Sequence, residues 1–270
     1  MFEWLPILFA LISTGIIAGL LAGLLGVGGG IVIVPVLYFI FQFLKINPHS
    51  AMLIATGTSL ATIIPTSMAS MRAHWRRKNI ERQLVQRWFP FIVIGVVSGV
   101  SLATSLGGRV ASTVFGVVAI LVSLNMLLRA RSTPILKELP GRIWQSLAAF
   151  CIGLISSIMG IGGGTLGVPF LTAFNLDVHR AVGTAAVFGF IIAVPGAVLM
   201  LLFGETPADA PLGTYGLVNV IGFAIIVPLT VMMAPVGVKL GSYLNGAILK
   251  RVFAVFLCLS GMRMLYQLLQ

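Results

Sequence analysis

The chain has 270 residues, 59% hydrophobic and only 9% charged, and its 17 lysines and arginines against 6 aspartates and glutamates give a net charge of +11. A soluble domain carries roughly 25% charged residues and about 45–50% apolar ones, so this chain lacks the polar surface to face water and reads as a membrane protein whose first partner is the lipid bilayer. Nucleic acid is excluded as a partner: the basic residues behind the pI of 10.7 sit in short segments between long apolar runs, where they report membrane orientation.

The start, Met1-Phe2-Glu3-Trp4, has neither the basic opening nor the small-residue cleavage site of a signal peptide, so the first apolar segment is expected to remain in the protein. Residues 5–44 are apolar throughout yet too long for one straight span, and Gly26-Val27-Gly28-Gly29-Gly30 interrupts them. Spans are expected at 51–70, 88–106 and 111–128, followed by a charged, proline-containing stretch from Arg129 to Arg142. A second long segment, 144–174, is interrupted at Gly160-Ile161-Gly162-Gly163-Gly164, and spans at 181–203, 217–236 and 250–268 complete the chain. Cys151 and Cys258 lie in apolar runs without a Cys or His at metal-ligand spacing, and are expected to be small buried hydrophobes.

The two glycine clusters open an internal repeat. Gly26 to Pro35 aligns with Gly160 to Pro169 at a constant offset, Gly57-Thr58-Ser59 with Gly183-Thr184-Ala185, and Val114-Phe115-Gly116-Val117 with Val252-Phe253-Ala254-Val255. The halves are 1–130 and 131–270. If each long segment crossed once, the basic loops would divide 11 to 6 between the two faces, and the acidic loop at Glu205 and Asp209 would fall on the cytoplasmic side. If each enters and returns as a V, 14 of the 17 basic residues share one face, leaving only Lys45, Arg109 and Arg263 on the other. Because lysine and arginine concentrate in cytoplasmic loops, the second topology is preferred. The expected fold is therefore an all-α polytopic membrane protein of about eight spans, built as two inverted repeats that each open with a glycine-broken helix.

The breaks are where chemistry can sit. Lipid leaves no partner for a free backbone N–H or C=O, so non-helical backbone at membrane depth survives only where protein or a water-filled cavity covers it. Each break starts a new half-helix, near Ile31 and Thr165, whose first N–H groups are unpaired and carry the positive end of the helix dipole. Three successive glycines can adopt left-handed φ and let backbone approach a ligand, which makes a main-chain anion cradle. Close helix packing is the alternative use of such small residues, but it does not require the break to recur at the same point in both halves. The hydroxyls of Thr56, Thr58, Ser59, Thr62 and Thr184 could donate to an oxyanion there, or bond back to their own helix. His49 and His179 read as loop or cap residues with proton sensing as the alternative, and His74 as part of a basic loop. No Asp or Glu falls inside an expected span, which disfavours a cation carrier, and no metalloprotease, nucleophile-elbow or Walker motif is present, so an enzyme is not expected.

The doubled Gly-x-Gly-Gly-Gly with its downstream proline, Ala55-Thr56-Gly57-Thr58-Ser59 with Arg72 to Arg77, and Ala181-Val182-Gly183-Thr184-Ala185 resemble the TauE/SafE sulfite exporter family, also called the toluene-sulfonate uptake permeases. The resemblance covers nearly the whole chain. It implies a permease of the bacterial inner membrane for sulfite, sulfonates or related sulfur-containing anions, with no bound cofactor; a homo-oligomer stays open. Carried onto this sequence, the substrate-binding positions would be Gly28, Gly29, Gly30, Pro35, Thr58 and Ser59 in one half, with Gly162, Gly163, Gly164, Pro169 and Thr184 in the other. Ala185 stands where the first half has Ser59, so the half-sites need not contribute equally. A passive anion channel, or a membrane sensor or assembly subunit that binds without transporting, are the rival readings.

Overall fold

In the computed structural model, residues 4–26, 28–128, 141–240 and 246–268 are described. Met1–Glu3, Val27, most of the expected linker with its domain boundary, and residues 241–245 of an expected loop lie outside them. Helix follows helix: α1 (Trp4–Leu25), α2 (Gly30–Phe43), α3 (Pro48–Arg76), α4 (Arg82–Leu106), α5 (Gly108–Leu128), α6 (Arg142–Met159), α7 (Gly164–Ala173), α8 (Val178–Leu202), α9 (Val220–Leu240) and α10 (Gly246–Gln267). Seven of them, α1, α3, α4, α5, α6, α8 and α9, are long and apolar enough to cross a membrane, while α2 and α7 are short apolar helices. Exposed Phe9, Ile94, Val97, Leu121 and Leu124 give the bundle the apolar exterior that hydrocarbon requires.

Local sequence sets the ends. Asn47 accepts the His49 N–H at 2.9 Å ahead of Pro48, and Asp177 accepts the N–H groups of His179 and Arg180, so α3 and α8 begin on matching side-chain caps. His49 and His179 are the cap-neighbouring residues that the sequence suggests. The half-helices end alike as well: Lys45 and Asn175 both turn left-handed, and the following N–H groups of Ile46 and Leu176 return to the carbonyls of Phe41 and Leu171. Helices α3, α4, α5 and α8 begin three to six residues before the apolar stretches expected from 51, 88, 111 and 181, whereas α9 begins three residues after its own, behind the hairpin.

Two expectations are corrected. A two-stranded antiparallel hairpin, β1 (Thr214–Tyr215) with β2 (Val218–Asn219), precedes α9 inside what reads as the start of a span. Cys151 and Cys258 are free and only half-buried, on sides of α6 and α10 turned partly outward. The two sequence halves interlock: α1 packs along α9 and α6 along α4, while α3 packs on α8 and α5 on α10. Glycines make the first two contacts close. A Cβ on Gly23 would lie 2.0 Å from the Ala234 carbonyl oxygen, and one on Gly95 2.2 Å from that of Phe150.

These contacts also fix which ends lie together. The connections at 44–47, 107 and 203–219 share one face, where the Asn47 N–H donates to Asp209 and Gly108 abuts His49. The connections at 77–81 and 174–177, with the C-terminal end of α9, share the other, where Arg77 donates to the Val238 carbonyl and Arg180 pairs with Glu81. Running parallel to α9, α1 enters from the first face, and α2 returns to it. Parallel to α4, α6 enters from the second face, and α7 returns there.

Candidate functional site

The two glycine breaks meet in the middle of the bundle. A Cβ on Gly28 would lie 3.5 Å from the Gly162 Cα and 3.1 Å from Ile63 at the midpoint of α3, and one on Gly30 would meet the Gly160 carbonyl oxygen at 2.6 Å. Gly28, Gly29, Gly30, Gly162, Gly163 and Gly164 are all buried. The backbones differ. At the first break Gly26, Gly28 and Gly29 all have positive φ, as three glycines permit, whereas at the second only Gly160 does and Gly163 is right-handed. Among the described residues, no hydrogen bond uses the N–H of Gly28, Gly29, Gly30 or Ile31 before α2 gets under way, nor that of Gly162, Gly163, Gly164 or Thr165 at the start of α7. Pro35 and Pro169 are each the sixth residue of their half-helix and, lacking N–H, deprive the carbonyls of Ile31 and Thr165 of the usual helical donor.

The hydroxyls divide. Ser59 donates to the Gly160 carbonyl at 2.7 Å, so a side chain of the first half completes the break of the second. Thr62 bonds back to the Ser59 carbonyl. Thr58 and Thr184 are not at the breaks at all: Thr58 Oγ1 accepts the Asn219 N–H at 2.8 Å and Thr184 Oγ1 accepts the Glu81 N–H at 3.0 Å. Their preceding glycines explain the pairing. A Cβ on Gly57 would lie 2.2 Å from the Leu217 carbonyl oxygen, and one on Gly183 2.2 Å from that of Asn79. The Gly-Thr pair is thus a latch in each half, holding the chain that leads into the fourth helix of the other, α9 or α4. Thr56, by contrast, is buried with its hydroxyl unpaired.

His74 overturns its expected place in a basic loop. It lies in the last turns of α3, 4% exposed, with neither ring nitrogen hydrogen-bonded, while Arg72 and Arg76 on either side face outward. Two clefts flank α3. One of about 350 Å³ at its N-terminal end is lined by His49, Arg109 and Tyr38; another of about 490 Å³ beyond its C-terminal end is lined by Lys78, Glu81 and Arg82. Both carry cationic groups toward solvent. Among the described residues no cluster of His, Cys, Asp or Glu could hold a metal.

Sequence reading missed Asn219, which caps α9 by accepting the Gly222 N–H at 2.8 Å and ties the hairpin through Leu212 and Thr214. Its signal was there, an Asn three residues before a glycine at the head of an apolar run. Ser156 and Thr165, buried and unpaired beside the second break, were also missed.

Half-helices starting at buried glycine breaks in the middle of a polytopic bundle, their N–H groups unpaired among the described residues, are the mark of membrane transporters. Comparison narrows the class: residues 11–264 match the family model described as Sulfite exporter TauE/SafE, and the chain belongs to that family. A probable membrane transporter protein of Haemophilus influenzae is 29% identical over 93% of this chain and 95% of its own length. The probable membrane transporter protein YunE of Bacillus subtilis is 31% identical over 72% of this chain and 78% of its own. One of Methanocaldococcus jannaschii is 27% identical over 98% and 97%. No solved structure matches.

Proposed function

We propose that the protein is a secondary transporter carrying sulfite, a sulfonate or a related small sulfur-containing anion across the bacterial inner membrane, by alternating access. The observation that carries this reading is the meeting of two half-helix N-termini, with main-chain N–H groups that no described residue pairs, at the centre of a bundle whose described spans contain no carboxylate. Such ends favour negative charge, by up to about 2 kcal/mol each in partly buried geometry. The family's printed description supports the sulfur anion.

Opposite entry of the two broken helices supports an inverted repeat, and the basic face holding 77–81 and 174–177 is the cytoplasmic one. Alternating access then rocks two interlocked bodies, each a broken helix with the fourth helix of the other half, α9 or α4. The glycine-tight packing of α1 on α9 and of α6 on α4 supports this division over one along the sequence halves.

Reconstitution tests it. Proteoliposomes should take up sulfite at a rate that saturates with concentration. Flux rising linearly without saturation would favour the channel, and binding without flux the sensor.

A further inference from the structure

The two breaks are equivalent by descent but not by chemistry, and the differences collect on one of them. Resting on the transport reading above, we infer that the anion is held at the second break, in a pocket formed by the hydroxyls of Thr56, Ser156 and Thr165, the N-terminus of α7 and the space beside Gly189.

The hydroxyls come first. Thr56 and Ser156 are fully buried and Thr165 is 4% exposed, yet none has a hydrogen-bond partner. All three border the second break. A Cβ on Gly160 would meet Thr56 at 2.7 Å, the Ser156 carbonyl accepts the Ile161 N–H, and Thr165 is the second residue of α7. Aligned by the repeat, the corresponding residues at the first break are Val182, Ala22 and Ile31, none of which has a side-chain polar atom. Buried hydroxyls are normally paired, so three unpaired ones on residues that flank one break call for a guest that completes them.

Space is the second difference. Ile63 fills the first break, its side chain 3.1 Å from where a Cβ on Gly28 would stand. Counting six residues on from the matched glycines Gly57 and Gly183 puts Gly189 opposite Ile63. A Cβ there would meet nothing nearer than Ser67 at 3.7 Å, and it would stand 3.9 Å from the Gly163 nitrogen. The place occupied by a side chain in one half is therefore free beside the unpaired N–H groups in the other.

The sign of the guest follows from which main-chain groups are spent. The carbonyls at the end of α6 are already used: that of Gly160 accepts the Ser59 hydroxyl, that of Ser156 the Ile161 N–H and that of Ser157 the Gly160 N–H. The N–H groups opening α7 are not, and no carboxylate is near in the chain. The one carbonyl that Pro169 frees, that of Thr165, points along α7 away from its N-terminus, so donors outnumber acceptors at the helix start and the site takes an oxyanion and not a sodium ion. Buried hydroxyl and main-chain donors suit a compact oxyanion such as sulfite.

Gly189→Ala is the decisive variant, because the added methyl has room, sits in a helix where alanine is favoured, and points into the site. In purified full-length protein, sulfite titrated calorimetrically should bind at least about tenfold more weakly to Gly189→Ala, with the melting temperature unchanged or raised. Thr56→Val, Ser156→Ala and Thr165→Val, which keep shape and remove a donor, should each weaken sulfite about tenfold as well, and Thr165→Ser should restore it. The mirror changes Val182→Thr and Ala22→Ser should alter it less than twofold. If the four variants fold and bind sulfite like wild type, this site is wrong although the transport reading stands. If wild type binds none of sulfite, sulfate, thiosulfate and methanesulfonate, both fail. Heat from sodium chloride that choline chloride does not give, and that Thr56→Val abolishes, would make the pocket a cation site and overturn the inference.

Discussion

The latches and the breaks are both duplicated, yet the two latches are alike and the two breaks are not. Each latch uses the same parts: a glycine that lets a carbonyl come within 2.2 Å of its missing Cβ, and a threonine hydroxyl accepting an N–H two residues further on. At the breaks, one half keeps three left-handed glycines, an isoleucine and an apolar lining, and the other keeps hydroxyls and an open place beside Gly189. A duplicated device that holds helices has the same task twice and keeps its chemistry. One that holds a single ligand on a pseudo-symmetry axis can concentrate its polar groups on one side, where one compact guest can satisfy them together.

The strongest way to break this comparison is to fill a latch. Gly57→Ala and Gly183→Ala each place a methyl against backbone that no side-chain rotation can relieve, and each should cost about 3 kcal/mol or more of stability. Chemical or thermal unfolding in detergent would check it. Equal losses sharpen the equivalence; a latch that accepts the methyl without loss breaks it.

Removing the hydroxyls should separate the latches by exposure. Thr58→Val leaves the N–H of Asn219, 4% exposed, without a partner, for a loss of about 1–3 kcal/mol. Thr184→Val leaves that of Glu81, which is only half-buried, so water can take over and the loss should stay below about 1 kcal/mol. The same melting experiment reads both. Equal losses would mean that both latches are dry.

Much of this was legible before any coordinates. Glycine clusters inside apolar runs cannot sit in lipid as free loops, and so the breaks declared themselves, as did the loops through their charge. The latches were legible as a repeated motif but not as latches, since the partners of Thr58 and Thr184 lie 161 and 103 residues away. His74 was hidden by its neighbours: the run from Arg72 to Arg77 looks like a basic loop, and only the helical turn that continues through it sends the histidine inward while the arginines stay out. The polarity of the second break was present in the alignment of the halves, where Val182, Ala22, Ile31 and Ile63 stand against Thr56, Ser156, Thr165 and Gly189. It gains meaning only once the three hydroxyls are found buried and unpaired beside one break, with Gly189 next to the same loop.

The smallest effect belongs to the acidic residues beside the latches, and it tests the comparison at its edge. On one face Glu81 pairs with Arg180 at the start of α8; on the other Asp209 accepts the Asn47 N–H at 2.7 Å at the start of α3. A hydrogen bond from the Ser50 hydroxyl, helped by that N–H, holds the Asp209 carboxyl below its ordinary value against a small opposing cost of burial. A carboxyl depressed in the folded state contributes stability above its unfolded pKa of about 3.9, and loses it as pH falls through the lower folded value. Between about pH 4 and pH 2 the wild-type melting temperature should therefore fall more steeply than that of Asp209→Asn. The difference should be no more than about 2 °C, because the residue is exposed and screened by solvent. Parallel melting curves across that range would show that the acidic loop does not hold α3 as Asp177 holds α8, and that the resemblance between the two faces stops at the latches.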